Sequence, residues 1–280
     1  MAAPQQTITM GTIRITYLPD GEFFVPPLVS FPETTIADWQ DYAHLLQSDG
    51  RIIGSVGAHV IQTGSQTILV DAGNGPLMID REQIFLSGGE LLRSLARAGL
   101  APDDIDIVFY THLHIDHVGW TGHMVDGVKR LTFPRARHFV RSAEWRRFDH
   151  PGVSAFSFED TLQLLAPCIE FIEDGQSLAP GVTVMATPGH TAGHASLIIN
   201  SADERAFILG DAFHSLVEIE HPEWVSSLDS DAPQTEQTRR LLLKELARPH
   251  TIGSCIHFPT TVFGRIIAEE SAAYRWQALR

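Results

Sequence analysis

The segment at residues 111–117, which reads Thr-His-Leu-His-Ile-Asp-His, most constrains what this chain can fold into. It places four metal-capable side chains within six residues, directly after an apolar run at residues 106–110. That run has the β-branched and aromatic bias of a buried strand. We therefore predict that the polar segment lies at the carboxyl end of a strand and forms part of a metal site.

The spacing within this segment favours two metal positions over one. In an extended chain His112 and His114 lie two residues apart and point the same way, so both imidazoles can converge on one cation. Asp116 and His117 are neighbours, and a turn of the chain would offer both to a second ion beside the first. The alternative interpretation is a chance cluster of histidines on a solvated loop.

Three further candidate ligands stand in similar settings later in the chain. His190 lies in Thr-Pro-Gly-His-Thr, Asp211 in Leu-Gly-Asp-Ala-Phe and His257 in Cys-Ile-His-Phe-Pro, and each follows a β-like apolar run. Side chains that follow several strands can gather along one edge of a sheet sandwich, where active sites are often built. These three residues favour a metal site over a chance cluster.

Together these motifs resemble the signature of the metallo-β-lactamase superfamily of hydrolases, from Val-Asp-Ala-Gly at residues 70–73 through His257. The resemblance implies an α/β fold, the four-layer αββα metallo-β-lactamase sandwich. It also implies two Zn²⁺ ions per chain, with iron, manganese or cobalt as alternative metals. The implied ligands are His112, His114 and His190 for one ion, Asp116, His117 and His257 for the other, and Asp211 as a bridge between them.

The resemblance further implies how such a site works. A hydroxide that bridges the two metals attacks the substrate, because paired cations acidify water and polarise a carbonyl or phosphoryl oxygen. The Asp116 carboxyl is implied to handle the proton that passes to the leaving group. Asp71 is implied to orient a ligating imidazole, with turn capping as the alternative. His194, four residues after His190, is interpreted as a structural histidine.

The substrate class depends on features other than the ligands. We predict a hydrolase that opens a small lactone or related carboxylic ester, as N-acyl-homoserine lactonases do. His214 lies three residues after Asp211, where quorum-quenching lactonases of the superfamily often place a tyrosine that contacts the substrate carbonyl. A histidine there can donate a similar hydrogen bond. However, Gly-Asp-Ala-Phe-His resembles the methyl parathion hydrolase branch, so phosphotriester or aryl ester hydrolysis is the alternative prediction.

Two other classes fit the sequence less well. Flavo-diiron relatives usually replace the second histidine of the motif with glutamate, whereas position 114 is histidine. A degenerate member that uses the fold only for binding is expected to have lost ligands, whereas every ligand of the pattern is present. The sequence therefore favours a hydrolase over a redox enzyme or a binding module.

The charge balance argues against a nucleic-acid partner. The chain has 20 basic and 34 acidic residues, which gives a formal net charge of −14 and repels a polyanion. Seven lysines and arginines between residues 129 and 147 form a local basic region, which we interpret as a solvated surface with intrachain ion pairs. We therefore predict no binding of nucleic acid.

Cysteine content and hydropathy bear on the cellular location. Cys168 and Cys255 cannot supply a disulfide framework, and neither occupies a ligand position, so free thiols in a reducing cytoplasm are expected. The sequence has no charged leader followed by an apolar segment, and no apolar stretch long enough to span a bilayer. We predict a soluble, cytoplasmic protein with no membrane partner.

Strand and helix patterns alternate along the chain, as expected for a single metallo-β-lactamase-fold domain over residues 1–280. The 44% hydrophobic content allows a large buried core. Strands are predicted at residues 12–18, 55–70, 138–141, 182–186, 196–200 and 206–209. Helices are predicted at residues 89–98 and 232–247, the second with Asp231 and Pro233 near its start and Leu241 on its apolar side.

An apolar connector at residues 19–46 forms a predicted N-terminal loop extension. It is longer than ordinary loops, and such loops are usually functional or packed. We predict that it walls an apolar substrate pocket together with Trp120, Phe213 and Trp224, with a satellite core or a dimer contact as the alternative. Related enzymes often pair through such extensions, which predicts a homodimer.

Overall fold

Two packed β-sheets form the middle layers of the fold in the computed structural model, which describes residues 2–81, 83–148, 159–269 and 273–279. The strands are β1 (Gln6–Met10), β2 (Ile13–Val25), β3 (Ile52–Gln62), β4 (Thr67–Val70), β5 (Met78–Asp80), β6 (Phe85–Ser87), β7 (Ile107–Phe109), β8 (Gly122–Val125), β9 (Val128–Leu131), β10 (Arg137–Val140), β11 (Ile169–Phe171), β12 (Ser177–Ala179), β13 (Val182–Ala186), β14 (Ala195–Ser201), β15 (Glu204–Ile208), β16 (Thr251–Ser254), β17 (Phe263–Ala268) and β18 (Tyr274–Ala278). The helices are α1 (Pro27–Ser30), α2 (Leu91–Arg97), α3 (Ile115–Val118), α4 (Ser142–Phe148), α5 (Glu159–Leu165), α6 (Val217–Glu220) and α7 (Ala232–Leu246).

The topology of the two sheets places several strand ends at one edge. The first sheet has the order β11-β10-β7-β4-β3-β2-β6-β5 with β1 added to β2, and the second runs from β12 to β18 in chain order. Strands β4 and β7 are parallel, and so are β15 and β16. Parallel neighbours end at the same edge, so the loops that follow them lie side by side. These loops carry the residues singled out in the sequence.

The core between the sheets explains why they pack face to face. Ile15, Val70 and Phe109 of the first sheet belong to one buried cluster with Leu197 and Ile208 of the second. Burying each such side chain contributes about 1.5–3 kcal/mol relative to leaving it exposed. The outer face of each sheet has its own apolar cluster, which helix α2 completes on the first sheet and helix α7 on the second. The predicted helix–sheet–sheet–helix sandwich is therefore confirmed.

Helix α7 follows the sequence signals closely. The Asp231 carboxylate caps it by accepting a hydrogen bond from the backbone N–H of Gln234 at 3.1 Å, and the helix ends one residue earlier than predicted. Its buried side includes Leu242, Leu243 and Leu246, whereas Leu241 is 49% exposed. The placement of Leu241 on the apolar side was therefore wrong. The other predicted helix is α2, which is shorter than the predicted 89–98.

The loop prediction for residues 19–46 was wrong for its first part. Strand β2 continues to Val25 through a bulge between Pro19 and Gly21, and its later half pairs with both β3 and β6. Asp-Gly at positions 20 and 21 resembles a turn, but here it forms the bulge. The strands predicted near residues 55–70 are β3 and β4. Helix α1 and a 3₁₀ turn at Ala43–Leu45 occupy the rest of the connector.

The connector packs as a satellite core, which was the alternative prediction. Phe31 and Trp39 are buried in a cluster that also includes Val217, with Trp224 packed against it. Trp120 and Phe213, which were predicted to share a pocket wall with the connector, lie instead in the outer cores of the first and second sheets. Among the helices in the described ranges, none has the length and apolar character needed to cross a bilayer.

Candidate metal centre

The loop after β7 presents its polar side chains in the way the sequence predicts. His114 has extended backbone angles, φ −75° and ψ 164°, and lies just before helix α3. The backbone is therefore extended at His114 and turns directly afterwards. The turn of α3 then presents Asp116 and His117 beside the first pair. A short helix after an extended segment thus sorts the four side chains into two pairs.

The second sheet supplies the other three predicted ligands from the same edge. His190 lies in the loop after β13, Asp211 in the 3₁₀ turn Gly210–Ala212 after β15, and His257 in the turn after β16. Gly210 has φ +55°, and a Cβ there would lie 2.6 Å from Nε2 of His194. Glycine before Asp211 therefore allows a close approach that a side chain would block.

All seven predicted ligands come together as two groups. In each group the candidate ligand atoms lie within 4.8 Å of one another. The first group contains His112, His114, His190 and Asp211, and the second contains Asp116, His117 and His257. In the first group, Nε2 of His190 lies 2.9 Å from Nδ1 of His114 and 3.2 Å from Nε2 of His112. This grouping matches the division into two ion sites that the sequence predicts.

The carboxylate of Asp211 lies between the two groups. Its Oδ1 atom is 3.1 Å from Nε2 of both His117 and His257. Its Oδ2 atom is 3.6 Å from Nε2 of His112 and 3.5 Å from Nε2 of His190. Each carboxylate oxygen therefore faces a different group, which is the geometry expected of a bridging ligand.

The chemistry of these residues fits a pair of divalent cations. Nε2 of His117 and Oδ1 of Asp211 are buried, and although they lie 3.1 Å apart, neither makes a hydrogen bond of good geometry. An unpaired buried polar atom is costly, and a cation between these atoms would satisfy both. Imidazole nitrogen and carboxylate oxygen are donors that zinc and related transition metals accept. Asp116, with a side chain 17% exposed, marks the side on which the centre opens to solvent.

The charges at the centre are strongly coupled. Burial disfavours the charged form of His117, but the carboxylates of Asp211 and Asp116 outweigh it and raise the pKa of His117 well above its ordinary value. Burial lowers the pKa of His112 and His190 well below the ordinary value. These two imidazoles are therefore neutral near pH 7, which is the form that ligates a metal.

Two of the imidazoles are oriented by acceptors on the side away from the centre. Nδ1 of His117 lies 2.9 Å from Oδ2 of Asp71, whose Oδ1 also accepts the backbone N–H of Thr111 at 2.8 Å. Nδ1 of His257 lies 2.8 Å from the carbonyl oxygen of Ser55. Each acceptor keeps a proton on Nδ1, so Nε2 is the nitrogen that would ligate a metal. Asp71 thus occupies the orienting position predicted for it rather than a simple turn cap.

Sequence reasoning missed the acceptor of His190. Nδ1 of His190 lies 3.0 Å from Oδ1 of Asp229, which is 39 residues away in the chain. No spacing or motif marks Asp229, because it reaches the centre only through the folding of the segment between α6 and α7. Burial favours the neutral acid, but the hydrogen bond with His190 and the nearby charges lower the pKa of Asp229 to about 2.

His214 faces the centre without being one of the seven ligands. Its Nε2 atom is buried with no hydrogen-bond partner and lies 3.7 Å from Oδ2 of Asp211. On the other side of the ring, Nδ1 lies 3.4 Å from Oε1 of Glu218, which also accepts the backbone N–H of His214 through Oε2. Burial opposes the charged form, but Glu218 outweighs it and raises the pKa of His214 to about 9.

His194 has the structural position proposed for it. Its Nε2 atom accepts the backbone N–H of Asp211 at 3.0 Å, and its Nδ1 atom contacts Thr187. The ring therefore holds the turn that carries Asp211 and does not itself point into the centre. Burial lowers the pKa of His194 to about 4, so the ring is neutral and its Nε2 can accept this hydrogen bond.

One aromatic side chain of strand β2 borders the centre. The ring of Phe23 meets the ring of His257 edge-on, with centroids 5.3 Å apart. It also lies across Gly54 of strand β3, where a Cβ would come within 2.0 Å of the Phe23 ring. Phe23 is therefore the connector residue that borders the centre, whereas Trp120 and Phe213 lie in the outer cores of the two sheets.

Comparison with known proteins agrees with this geometry. An N-acyl homoserine lactonase from a Bacillus species is 26% identical over 231 residues, which cover 77% of this chain and 82% of the relative. The solved structure of AidC, a dizinc quorum-quenching lactonase in complex with its product, has a TM-score of 0.84 and 23% identity, and the match covers 100% of this chain and 98% of that one.

A second solved structure has the same degree of structural similarity. It is that of hydrolase AbOPH of the beta lactamase superfamily, with a TM-score of 0.84 and 24% identity over 100% of this chain and 99% of that one. The sequence profile of the metallo-beta-lactamase superfamily matches residues 53–252, which is more than half of the chain. With its four-layer fold and its His/Asp cluster, the chain belongs to the metallo-β-lactamase superfamily and is similar to lactonases of that family.

Proposed function

We propose that this protein is a di-zinc hydrolase that opens the ester bond of a small lactone, with N-acyl homoserine lactones as the leading substrate class. The observation that carries the proposal is the joining of two ligand groups by Asp211, with the unpartnered Nε2 of His214 facing the same space. The N-acyl homoserine lactonases among its relatives support the substrate class.

The seven predicted ligands hold the two ions in this proposal. His112, His114 and His190 bind one, Asp116, His117 and His257 bind the other, and Asp211 bridges them, in keeping with the observed grouping. When bound, such a pair of cations acidifies a water molecule and polarises the acyl oxygen of an ester. A mixed set of nitrogen and oxygen ligands supports zinc as the metal. A cytoplasmic location, a homodimer and the absence of a nucleic-acid partner remain sequence-based parts of this proposal.

Two side chains of the protein act on the substrate directly. His214 donates a hydrogen bond from Nε2 to the acyl oxygen, while Glu218 holds the opposite side of its ring. Asp116 has Oδ2 at 3.8 Å from Nε2 of His117 and 3.7 Å from Nε2 of His257, on the solvent side of the centre. This position supports a role for its carboxyl group in passing a proton to the leaving alkoxide.

The first experiment measures proton release at constant pH by zinc-loaded protein. The panel contains acyl-homoserine lactones, other lactones, aryl esters and phosphotriesters. Efficient lactone opening that disappears in Asp116→Ala supports the proposal. Turnover of phosphotriesters with no turnover of lactones would assign the chain to organophosphate hydrolysis, which is the alternative drawn from the Gly-Asp-Ala-Phe-His sequence.

The His214→Ala variant tests the second catalytic assignment. We expect it to keep both zinc ions and to lose about 100-fold or more in kcat, the loss typical when one donor to a developing oxyanion is removed. The exposed His44→Ala variant is the matched control and should leave kcat unchanged. Zinc content is measured by atomic absorption beside the rate. Unchanged turnover in His214→Ala would remove the assigned role.

A further inference from the structure

A buried arginine lies beneath the centre and is not part of either ligand group. Arg239 of helix α7 is 0% exposed and donates hydrogen bonds to four acceptors. Two are the carbonyl oxygens of Ala212 and Trp224, both at 2.8 Å. The other two are the carboxylates of Glu218 at 2.7 Å and Asp229 at 2.9 Å. A guanidinium group suits such an arrangement because its donors have fixed, planar directions.

Each of these two carboxylates holds a different histidine of the centre. Asp229 uses Oδ1 for Nδ1 of His190, at 3.0 Å, and Oδ2 for Arg239. Glu218 accepts from the backbone N–H groups of His214 and Ser215 through Oε2, and its Oε1 receives Arg239. The same Oε1 atom lies 3.4 Å from Nδ1 of His214. One guanidinium thus connects, through two carboxylates, two histidines that both face Oδ2 of Asp211.

We propose that Arg239 is a positioning residue that keeps a metal ligand, His190, and the substrate-facing His214 in a fixed relation through Asp229 and Glu218. The proposal rests on the function proposed above. A buried carboxylate pair without a cation would be poorly satisfied, and both carboxylates would turn away from their histidines. Loss of Arg239 therefore loosens both histidines together, whereas loss of one carboxylate loosens one histidine.

The variants Arg239→Lys and Arg239→Met test this role. Lysine keeps a positive charge but cannot donate in four fixed directions. We expect both variants to bind zinc about 10- to 100-fold more weakly, as is typical when an outer hydrogen-bond partner of a ligand is lost. Their kcat at saturating zinc should also fall. Arg240→Met is the matched control, because Arg240 lies next in the helix with a side chain 52% exposed.

Variants that change one carboxylate at a time separate the effect on zinc binding from the effect on kcat. Asp229→Asn should weaken zinc binding, measured by competition with a chromophoric chelator and without any substrate. Glu218→Gln should keep zinc affinity and lower kcat. The proposal would be overturned if folded Arg239→Lys and Arg239→Met kept zinc affinities and rates within about twofold of wild type. Loss of an outer hydrogen-bond partner of a metal ligand has a much larger effect.

If the Arg239 variants do not fold, a double-mutant cycle of Asp229→Asn and Glu218→Gln tests whether the two carboxylates act through Arg239. With Arg239 as the link, Glu218→Gln lowers kcat less in the Asp229→Asn background than in wild type, because the first change has already loosened the guanidinium. Equal fold-changes in the two backgrounds would overturn the proposal. Zinc affinity is measured without substrate. A failure of the wild type to open lactones would therefore count against the proposed function but not against the proposed link from Arg239 through Asp229 to His190.

Discussion

An imidazole at this centre can ligate a metal only if its nitrogen that faces the metal carries no proton. His117 is completely buried, and its Nδ1 atom has the Asp71 carboxylate as acceptor at 2.9 Å. A carboxylate only accepts, so Nδ1 keeps its proton, and Nε2, on the side of Asp211, is the nitrogen that would lose its proton to ligate a metal. Asp71 itself has φ +64°, a backbone conformation that aspartate and asparagine tolerate better than most residues. Asparagine at position 71 should therefore change the hydrogen bond to His117 and leave the backbone in place.

We predict that Asp71→Asn weakens zinc binding at the second group about 10- to 100-fold. The asparagine oxygen can still accept the N–H of Thr111, which leaves the amide NH₂ facing Nδ1 of His117. The ring must then accept at Nδ1 and carry its proton on Nε2, where it blocks the metal. Zinc titration of the purified variant measures the change. An unchanged affinity with an intact fold would show that Asp71 does not control the tautomer.

At the scale of elements, the bulge in strand β2 organises the loops behind the centre. The Asp20 carboxylate at this bulge is 1% exposed and accepts hydrogen bonds from five N–H groups. The donors are the backbone N–H groups of Asn74, Gly75, Gly89 and Leu91 and the indole N–H of Trp120. Through these bonds one side chain ties the loop after β4, the start of helix α2 and the segment after α3 to β2.

We predict that Asp20→Ala lowers the free energy of unfolding by at least about 3 kcal/mol, because it leaves several buried donors unpaired and each costs about 1–3 kcal/mol. Chemical denaturation followed by circular dichroism measures the change. Asp41→Ala, at an exposed position of the connector, is the control and should stay within about 0.5 kcal/mol of wild type. A loss of less than about 1 kcal/mol in Asp20→Ala would mean that the donors find other partners.

The sequence predicted those features that depend on the local spacing of residues. It did not predict features that depend on contacts between distant parts of the chain. The ligands after β7 were predictable because their spacing follows backbone geometry, and helix α7 because Asp231 and Pro233 mark its start. The strand nature of residues 21–25 was not, since Asp20 and Gly21 look like a turn until the buried donors around Asp20 are known. Asp229 and Arg239 could not be predicted either, because only the folded chain brings them under the centre.

At the scale of the whole molecule, the two sheets share the metal centre. The loop after β7 provides four of the seven proposed ligands, and the second sheet provides His190, Asp211 and His257. Ions bound between them, as proposed, would therefore link the two halves of the sandwich. Binding to the folded state alone stabilises a protein by about 2.7 kcal/mol when the free ligand is at 100 times its dissociation constant.

We accordingly predict that the melting temperature rises with free zinc and falls after chelation. Differential scanning calorimetry at a series of buffered zinc concentrations measures the dependence. In Asp211→Asn the dependence should be weaker, because the residue that faces both groups has lost its charge. A melting temperature that does not respond to zinc would contradict the proposal that the ions bind between the sheets.

A second prediction concerns acid stability. His59 of strand β3 is buried between the sheets, with Nε2 2.7 Å from Oγ of Ser254, and burial lowers its pKa to about 3. An unfolded histidine titrates near pH 6.5, so between about pH 6.5 and 3 the unfolded chain binds a proton that the folded chain does not. His59 therefore contributes stability above about pH 6.5 that is lost as the pH falls, by up to about 1.4 kcal/mol per pH unit.

His59→Gln should flatten this dependence, because glutamine keeps a polar group near Ser254 but does not titrate. The measurement is the free energy of unfolding of metal-free protein between pH 7 and pH 4. The exposed His44→Gln variant provides the reference and should keep the slope of wild type. Parallel curves for His59→Gln and wild type would show that His59 is not held neutral in the fold.

The separation of the proposed ligands along the chain, from His112 to His257, also bears on how the protein is made. A ribosome releases the first four ligands well before β16 has been synthesised, and a zinc ion arriving then would meet only half of the centre. We therefore expect the centre to load only once the second sheet has formed against the first, so that metal insertion is a late event in biosynthesis. Expression conditions that limit zinc should then yield folded protein that can be loaded afterwards.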